Sequence, residues 1–331
     1  MKHYLILACV SLLLSGSLFA ADQTAPKKDE PKSTKTAAPA PAGPPPTMAN
    51  VPYGDDPRQV LDFYKAESKT PTPVLLYIHG GGWMGGSKDR VGAIPSYMAA
   101  GVSVVSVEYR FVSQAHAAEI KPPVKWPLED AARAVQFVRS KASEWNLDKT
   151  RIIATGGSAG ACSSLWLAFH DDMADPKSSD PIARESTRLL GAAVIGAQTS
   201  LDPHQMREWM PNITYGGHAF GFVTDPKSRA TAFQQFYDAR EKILPWINEY
   251  SPYALVTADD PAIALYYGAA PAVGQETKDP THSASFGLKL QEKLKSVNVP
   301  CELVYPGAEG THPPIHEYLI AKLTGKTPEA K

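Results

Sequence analysis

The stretch Gly156-Gly157-Ser158-Ala159-Gly160 decides how this chain is read. Ahead of it, Arg151-Ile152-Ile153-Ala154-Thr155 is short, apolar and partly β-branched, the pattern of a buried strand. Behind it, Ala159 to Leu167 is rich in small residues and then apolar, the pattern of a helix packed closely on a sheet. A strand running straight into a helix forces a sharp turn, and Ser158 at its apex stands clear of the sheet at the helix N-terminus. Gly156 and Gly160 fit such a turn because a Cβ there crowds the neighbouring strand and helix. The spacing G-x-S-x-G alone recurs by chance in roughly one chain in ten of this length. A glycine-rich turn without chemistry has the same letters, so the flanking elements carry the weight.

A second stretch works in the same direction. His79-Gly80-Gly81-Gly82-Trp83 follows the apolar run Val74-Leu75-Leu76-Tyr77-Ile78. Three consecutive glycines at a strand end leave backbone N–H groups free to point at a developing negative charge. A serine on a strained turn, with such a loop beside it, is the pairing that a nucleophilic hydrolase needs.

Composition narrows the field. The chain has 331 residues, 43% of them hydrophobic, and a formal net charge of -1; its pI is about 6.8. No basic field attracts nucleic acid. The three cysteines, Cys9, Cys162 and Cys301, form neither a disulfide framework nor a metal-ligand spacing. Two buried free thiols at Cys162 and Cys301 are preferred over a bridge between them.

Met1 to Ala20 has the features of a secretory signal peptide: Lys2 and His3 begin it, Tyr4 to Ala20 carries no charge, and Ala20-Ala21 offers small residues for cleavage. An uncleaved anchor is the alternative, because the uncharged stretch is at the lower limit for a span. Cleavage implies a secreted or periplasmic protein with no remaining membrane attachment. Residues 21–50, rich in Pro, Ala, Lys and Thr, have no apolar periodicity and are expected to be a disordered linker.

Residues 51–331 then form a single α/β domain by expectation. Strands are expected at Gln59 to Tyr64, Val74 to Ile78, Val102 to Val107, Arg151 to Thr155, Leu189 to Ile195, Ala262 to Tyr267 and Cys301 to Tyr305. Helices are expected at Ile94 to Ala100, Pro127 to Ala142, after Ser158, at Ser285 to Val297 and at Ile315 to Leu323. Such alternation implies a mostly parallel sheet covered on both faces. Between Phe169 and Tyr253 the rhythm is lost: beyond one strand the segment reads as loop, with many aromatics, Trp209, Tyr215, Phe220, Phe236 and Trp246 among them. Excursions of this kind serve as lids or binding loops, or simply make a second small core.

These residues together resemble the α/β-hydrolase superfamily, and within it the secreted carboxylesterases with an HGGGW loop: the acetyl- and feruloyl-esterase-like and hormone-sensitive-lipase-like groups. The resemblance covers nearly all of residues 51–325. It rests on Tyr53-Gly54 with Leu61-Asp62, His79 to Trp83, Gly156 to Gly160, Asp259-Asp260-Pro261 before a strand, and Pro306-Gly307-Ala308 after the last strand. It implies Ser158 as nucleophile and the N–H groups of Gly81, Gly82 and Ala159 as oxyanion hole. It implies a chain order of Ser, then acid, then His.

The acid is where the sequence departs from the pattern. Counting from Tyr266-Tyr267-Gly268 the expected position holds Pro271; counting back from the following helix gives Asp279, or Glu276 if Pro280 is taken as the family proline. Asp279 is preferred. For the histidine, His312 in the loop after the last strand is preferred over His316. His79 is expected to hold the glycine loop. His282 beside the acid reads equally as a substrate contact or a solvated side chain. His116, His170, His204 and His218 have no partners at metal-ligand spacing and read as structural or exposed. Asp259 and Asp260 precede their strand and read as a loop turn.

The expectation is a secreted hydrolase of small acyl esters, with acetyl or feruloyl groups on polysaccharide as its natural substrate, needing neither metal nor organic cofactor. A prolyl-oligopeptidase-like peptidase shares fold and triad order, although no propeller-sized segment lies ahead of the domain. The Pro271 departure keeps open a non-catalytic binding protein on the same fold.

Overall fold

The structure, a computed structural model, describes residues 43–222, 228–310 and 312–326. The signal-like segment and most of the linker lie outside the described residues.

Eight strands form one sheet: β1 (Met48–Pro52), β2 (Val60–Tyr64), β3 (Thr72–Ile78), β4 (Ser103–Val107), β5 (Leu147–Gly156), β6 (Gly191–Ile195), β7 (Ile263–Tyr266) and β8 (Cys301–Val304). Their order across the sheet is β1-β2-β4-β3-β5-β6-β7-β8. The β1–β2 and β2–β4 pairs are antiparallel, and every pair from β4 onward is parallel. Helices α1 (Ile94–Ala99), α2 (Val112–Ala117), α3 (Lys125–Ser140), α4 (Ala142–Trp145) and α5 (Ala159–Phe169) fill the first half. Helices α6 (Pro203–Trp209), α7 (Arg229–Asp238), α8 (Leu244–Tyr250), α9 (Pro252–Leu255), α10 (Ala284–Ser296) and α11 (Ile315–Thr324) follow.

The period of two along the strands sorts side chains between two cores. Val74, Leu76 and Ile78 of β3 join the cluster under α3, α5 and α10, whereas Leu75 joins Ile94 and Tyr97 of α1 and Leu319 and Leu323 of α11 on the opposite face. This is the mostly parallel, doubly covered sheet that the alternating pattern predicts. No described helix is long and apolar enough to cross a membrane.

Two expectations are corrected. The folded chain starts earlier than Val51: β1 begins at Met48 and pairs with β2, and the Asn50 N–H donates to Asp62 Oδ1 at 2.8 Å. Backbone pairing with a neighbouring strand, invisible in a Pro-rich composition, holds these residues in the sheet. The excursion is not loop-rich either, since α6 to α9 run through it up to Leu255. Each of these helices spans ten residues or fewer, too short to show periodicity, and packing holds them. Trp209, Phe220, Phe233, Phe236 and Tyr250 are buried in the same cluster as the strands, so they extend the main core rather than build a second one. Cys162 is buried and Cys301 half-buried, and both are free thiols.

Candidate active site

Ser158 sits between the end of β5 and the start of α5, at the middle of the sheet, where α/β folds place ligands beyond the carboxyl ends of their strands. Its φ of 54° and ψ of -123° are a strained conformation for a residue with a Cβ, of the kind that costs about 1–3 kcal/mol and persists where the surroundings enforce it. The Ser158 N–H donates to the Ile195 carbonyl at 3.0 Å, and the Cys162 N–H to the Ser158 carbonyl at 3.0 Å, tying the turn to β6 and α5.

The glycines are where close approach requires them. A Cβ on Gly156 would lie 2.3 Å from the Ile78 carbonyl oxygen, and one on Gly160 2.1 Å from the same atom. The strand end that launches the glycine loop therefore lies against both glycines of the turn. A Cβ on Gly80 would lie 2.6 Å from the Gly157 carbonyl oxygen.

His79 holds that loop, as expected. Its Nδ1 pairs with the Gly80 carbonyl at 2.8 Å and its Nε2 with Glu108 Oε1 at 2.9 Å; its ring stacks on Tyr109, whose hydroxyl donates to the His79 carbonyl at 2.8 Å. Burial alone would raise the Glu108 carboxyl; the bond from His79 and the charges of His79 and Arg58 outweigh it and hold the carboxyl below its usual range. Trp83 is fully buried and its indole N–H donates to Ser163 Oγ on α5 at 2.9 Å. Gly81 and Gly82 have φ of 108° and 63°, which turn the loop back on itself. Ala159 is the first residue of α5, so its N–H has no partner in the helix ladder.

The histidine against the serine is His282. Its Nε2 lies 3.0 Å from Ser158 Oγ, and its Nδ1 lies 2.8 Å from Asp279 Oδ2. Asp279 caps a short 3₁₀ turn, Pro280–His282, and its other oxygen accepts from the His282 backbone N–H at 3.3 Å. In a 3₁₀ turn residues three apart eclipse one another, which brings the carboxylate onto the ring. With a carboxylate on Nδ1, that nitrogen carries the proton and Nε2 turns its lone pair to the hydroxyl. The turn is seated on β6: a Cβ on Gly196 would come within 3.4 Å of the His282 side chain. Buried Gln198 donates from its amide to the Gly196 carbonyl at 3.1 Å and to the Thr281 carbonyl at 2.7 Å.

The structure thus joins Asp279 to Ser158 through His282, sets Ala159 next to the serine at the start of α5, and packs Gly80, which precedes Gly81 and Gly82, against the serine turn. It does not bring His312 to Ser158: His312 Nε2 bonds the Glu309 carbonyl at 2.9 Å within its own loop after β8. The physical reason is the length of the β7–β8 connection, whose chain from Gly268 reaches back over β6 and delivers Asp279 and His282 as one unit. Asp-Pro-Thr-His at 279–282, an acid and a histidine three apart around a helix-starting proline, was the available signal. Glu276 is exposed earlier in the same loop. Asp259 and Asp260 close a turn on Thr257, as expected. Among the described residues no group of acidic, His or Cys side chains could hold a metal ion.

The pair is solvent-facing: the side chains of His282 and Asp279 are 40% and 62% exposed. Ile195 and Met84, two of the three large exposed apolar side chains among the described residues, flank the serine turn and the glycine loop.

The sequence profile of the BD-FAE family matches residues 61–276, from β2 to the loop that carries Asp279. The chain belongs to the BD-FAE family. Among curated relatives, Esterase LipC of Mycobacterium tuberculosis is 33% identical over 114 residues, 33% of this chain and 26% of the relative. The matched stretches span about a quarter of the length of such relatives. Among solved structures, an acetyl ester-xyloside bifunctional hydrolase from Caldicellulosiruptor lactoaceticus superposes with a TM-score of 0.53 at 22% identity, over 77% of this chain and 79% of the other. A truncated carbohydrate esterase from gut microbiota gives 0.57 at 20% identity, over 84% and 93%. At these identities the superpositions establish the α/β-hydrolase fold of this BD-FAE member.

Proposed function

We propose that this BD-FAE protein is a serine carboxylesterase of short acyl esters, working through Ser158, His282 and Asp279. The observation that carries the proposal is the single ring that touches both Ser158 Oγ and the Asp279 carboxylate. His282 takes the hydroxyl proton as Ser158 attacks the ester carbonyl, and Asp279 holds the imidazole in the useful tautomer and stabilises the imidazolium that forms. The C–O double bond opens to an oxyanion that the N–H groups of Gly81, Gly82 and Ala159 receive; one such donor contributes about 3 kcal/mol to the transition state. His282 then gives its proton to the leaving alcohol as the acyl-enzyme forms. Water repeats the sequence and releases the acid.

Carbohydrate as the alcohol part is a narrower proposal. It is supported by the two superposed structures, one an acetyl ester-xyloside bifunctional hydrolase and the other a carbohydrate esterase. Export rests on the uncharged segment Tyr4 to Ala20.

The test is hydrolysis of p-nitrophenyl acetate by the full domain beside Ser158→Ala, with fluorophosphonate labelling of both. The expected result is turnover and labelling by the parent protein and neither in the variant. A folded parent protein that neither hydrolyses nor labels refutes the proposal.

A further inference from the structure

One turn of the excursion, Tyr215-Gly216-Gly217-His218, returns over the glycine loop. The rings of Tyr215 and His218 meet edge to face with centroids 4.8 Å apart, and His218 lies 5.9 Å from the ring of Trp83. Among the described residues neither the Tyr215 hydroxyl nor His218 Nε2 has a hydrogen-bond partner, and both atoms are shut off from water. Each such orphan costs about 1–3 kcal/mol, and in a native chain it calls for an explanation.

Both atoms face one place. A Cβ built on Gly82 would lie 3.6 Å from His218 Nε2, 3.8 Å from the Tyr215 hydroxyl and 3.7 Å from Met84 Cε. The two polar atoms therefore line a gap beside an oxyanion-loop glycine, and the methyl end of Met84 covers it. Met84 is itself exposed and unbranched, so rotation of its side chain uncovers the gap while the two rings stay packed. Burial keeps the His218 imidazole neutral at neutral pH. A neutral imidazole and a phenol together can both donate to and accept from a hydroxyl.

Sheet order says which part of an ester reaches this gap. β3 and β6 lie on opposite sides of β5. Gly82 follows β3, whereas His282 is seated on Gly196 after β6. The leaving alcohol must face His282 to collect its proton, which leaves the Gly82 side to the acyl chain.

We propose that Tyr215 and His218, uncovered by movement of Met84, bind a hydroxyl on the α- or β-carbon of the acyl group, so that esters of short hydroxy acids are preferred over esters of plain alkanoic acids. The proposal rests on the esterase reading above and narrows it. The test compares kcat/KM for ethyl glycolate and ethyl propionate, and for ethyl lactate and ethyl isobutyrate. Each pair exchanges a hydroxyl for a methyl at nearly constant size. The ratio within a pair, compared between parent and variant, cancels both the intrinsic reactivity of the esters and the amount of folded enzyme.

Tyr215→Phe is expected to lower the hydroxyacyl-to-alkanoyl ratio about tenfold or more, because a site built to pair a hydroxyl discriminates strongly once it is intact. His218→Phe is expected to do the same, and if it fails to fold Tyr215→Phe decides alone. A ratio unmoved in Tyr215→Phe overturns the proposal. So does an equal fall for both esters of a pair, which would make Tyr215 a support of the oxyanion loop. An active parent protein with an unmoved ratio leaves the esterase reading standing; a parent inactive on all four esters and on p-nitrophenyl acetate removes both.

Discussion

At the residue scale, the site turns on one ring. His282 reaches Ser158 Oγ while His312 bonds a carbonyl in its own loop. His282→Ala is therefore expected to lower kcat for p-nitrophenyl acetate by about three orders of magnitude or more, as losing the base of such a triad does. His312→Ala should stay within about threefold of the parent protein. The reverse ranking, measured under the same conditions, would restore the histidine that the family pattern favours. The acid follows the same logic: Asp279→Asn should cost about 10²–10⁴-fold in kcat because it loses the carboxylate on Nδ1, whereas Glu276→Gln should cost almost nothing. Asp279 is largely exposed, so the loss should come from tautomer and orientation more than from a stabilised ion pair.

The serine and its glycines were legible at this scale because they are contiguous. Five letters between a strand and a helix specify a turn, and the glycines answer contacts of 2.1–2.3 Å with the Ile78 carbonyl. The histidine was not legible. Choosing between His282 and His312 requires the path of the chain between Gly268 and Asp279, and no local pattern encodes it.

At the scale of elements, the turn and the glycine loop act as one block. Gly160 lies in the first turn of α5 with no room for a Cβ against Ile78 and His79. Both obstacles are backbone, so no side chain can rotate away. Gly160→Ala should lower stability by about 1–3 kcal/mol or more, read as a fall in the denaturant midpoint. It should also lower activity, because relief requires β3 and α5 to move apart. An unchanged midpoint would show that the two elements are not in the contact described.

Alternation of strands and helices predicted the long elements well. β3 and β4 are mostly apolar and buried, β5 is so from Ile152 onward, and α3 and α10 carry clear apolar stripes. Short elements escaped. α6 has four to ten-residue neighbours in the excursion and owes its start to Asp202, whose side chain accepts from the His204 N–H, and to Pro203. Such helices exist because their apolar residues find the main core, a tertiary cause.

At the scale of the whole molecule, burial sets how stability responds to acid. His218 is held down to about 4 by burial, with the Gly82 backbone pulling it up and Arg229 adding to the fall. A base whose folded pKa lies below its unfolded value of about 6.5 leaves the unfolded chain holding more protons between those two values. Its contribution is therefore whole at neutral pH and is lost as pH falls from about 6.5 to about 4, by roughly 3 kcal/mol. Asp260 acts oppositely: burial raises it to about 6, so it favours the folded state as pH falls through the same window. The clean observable is a difference. Urea unfolding of His218→Phe, set beside the parent protein from pH 7 to pH 4, should show the parent losing more stability than the variant. Parallel curves would mean that the ring is not buried neutral.

What the sequence by itself determined is everything written in neighbouring letters: the serine turn, the glycine loop, the alternation that makes a parallel sheet, and the narrowing of the acid to Asp279 or Glu276. These are consequences of sterics and periodicity within a few residues. The tertiary structure alone decided which histidine meets Ser158, that residues 48–50 belong to the sheet, and that Tyr215 and His218 close over Gly82. Those outcomes depend on where distant segments settle, and that is set by the burial of apolar surface across the whole chain rather than by any stretch of it.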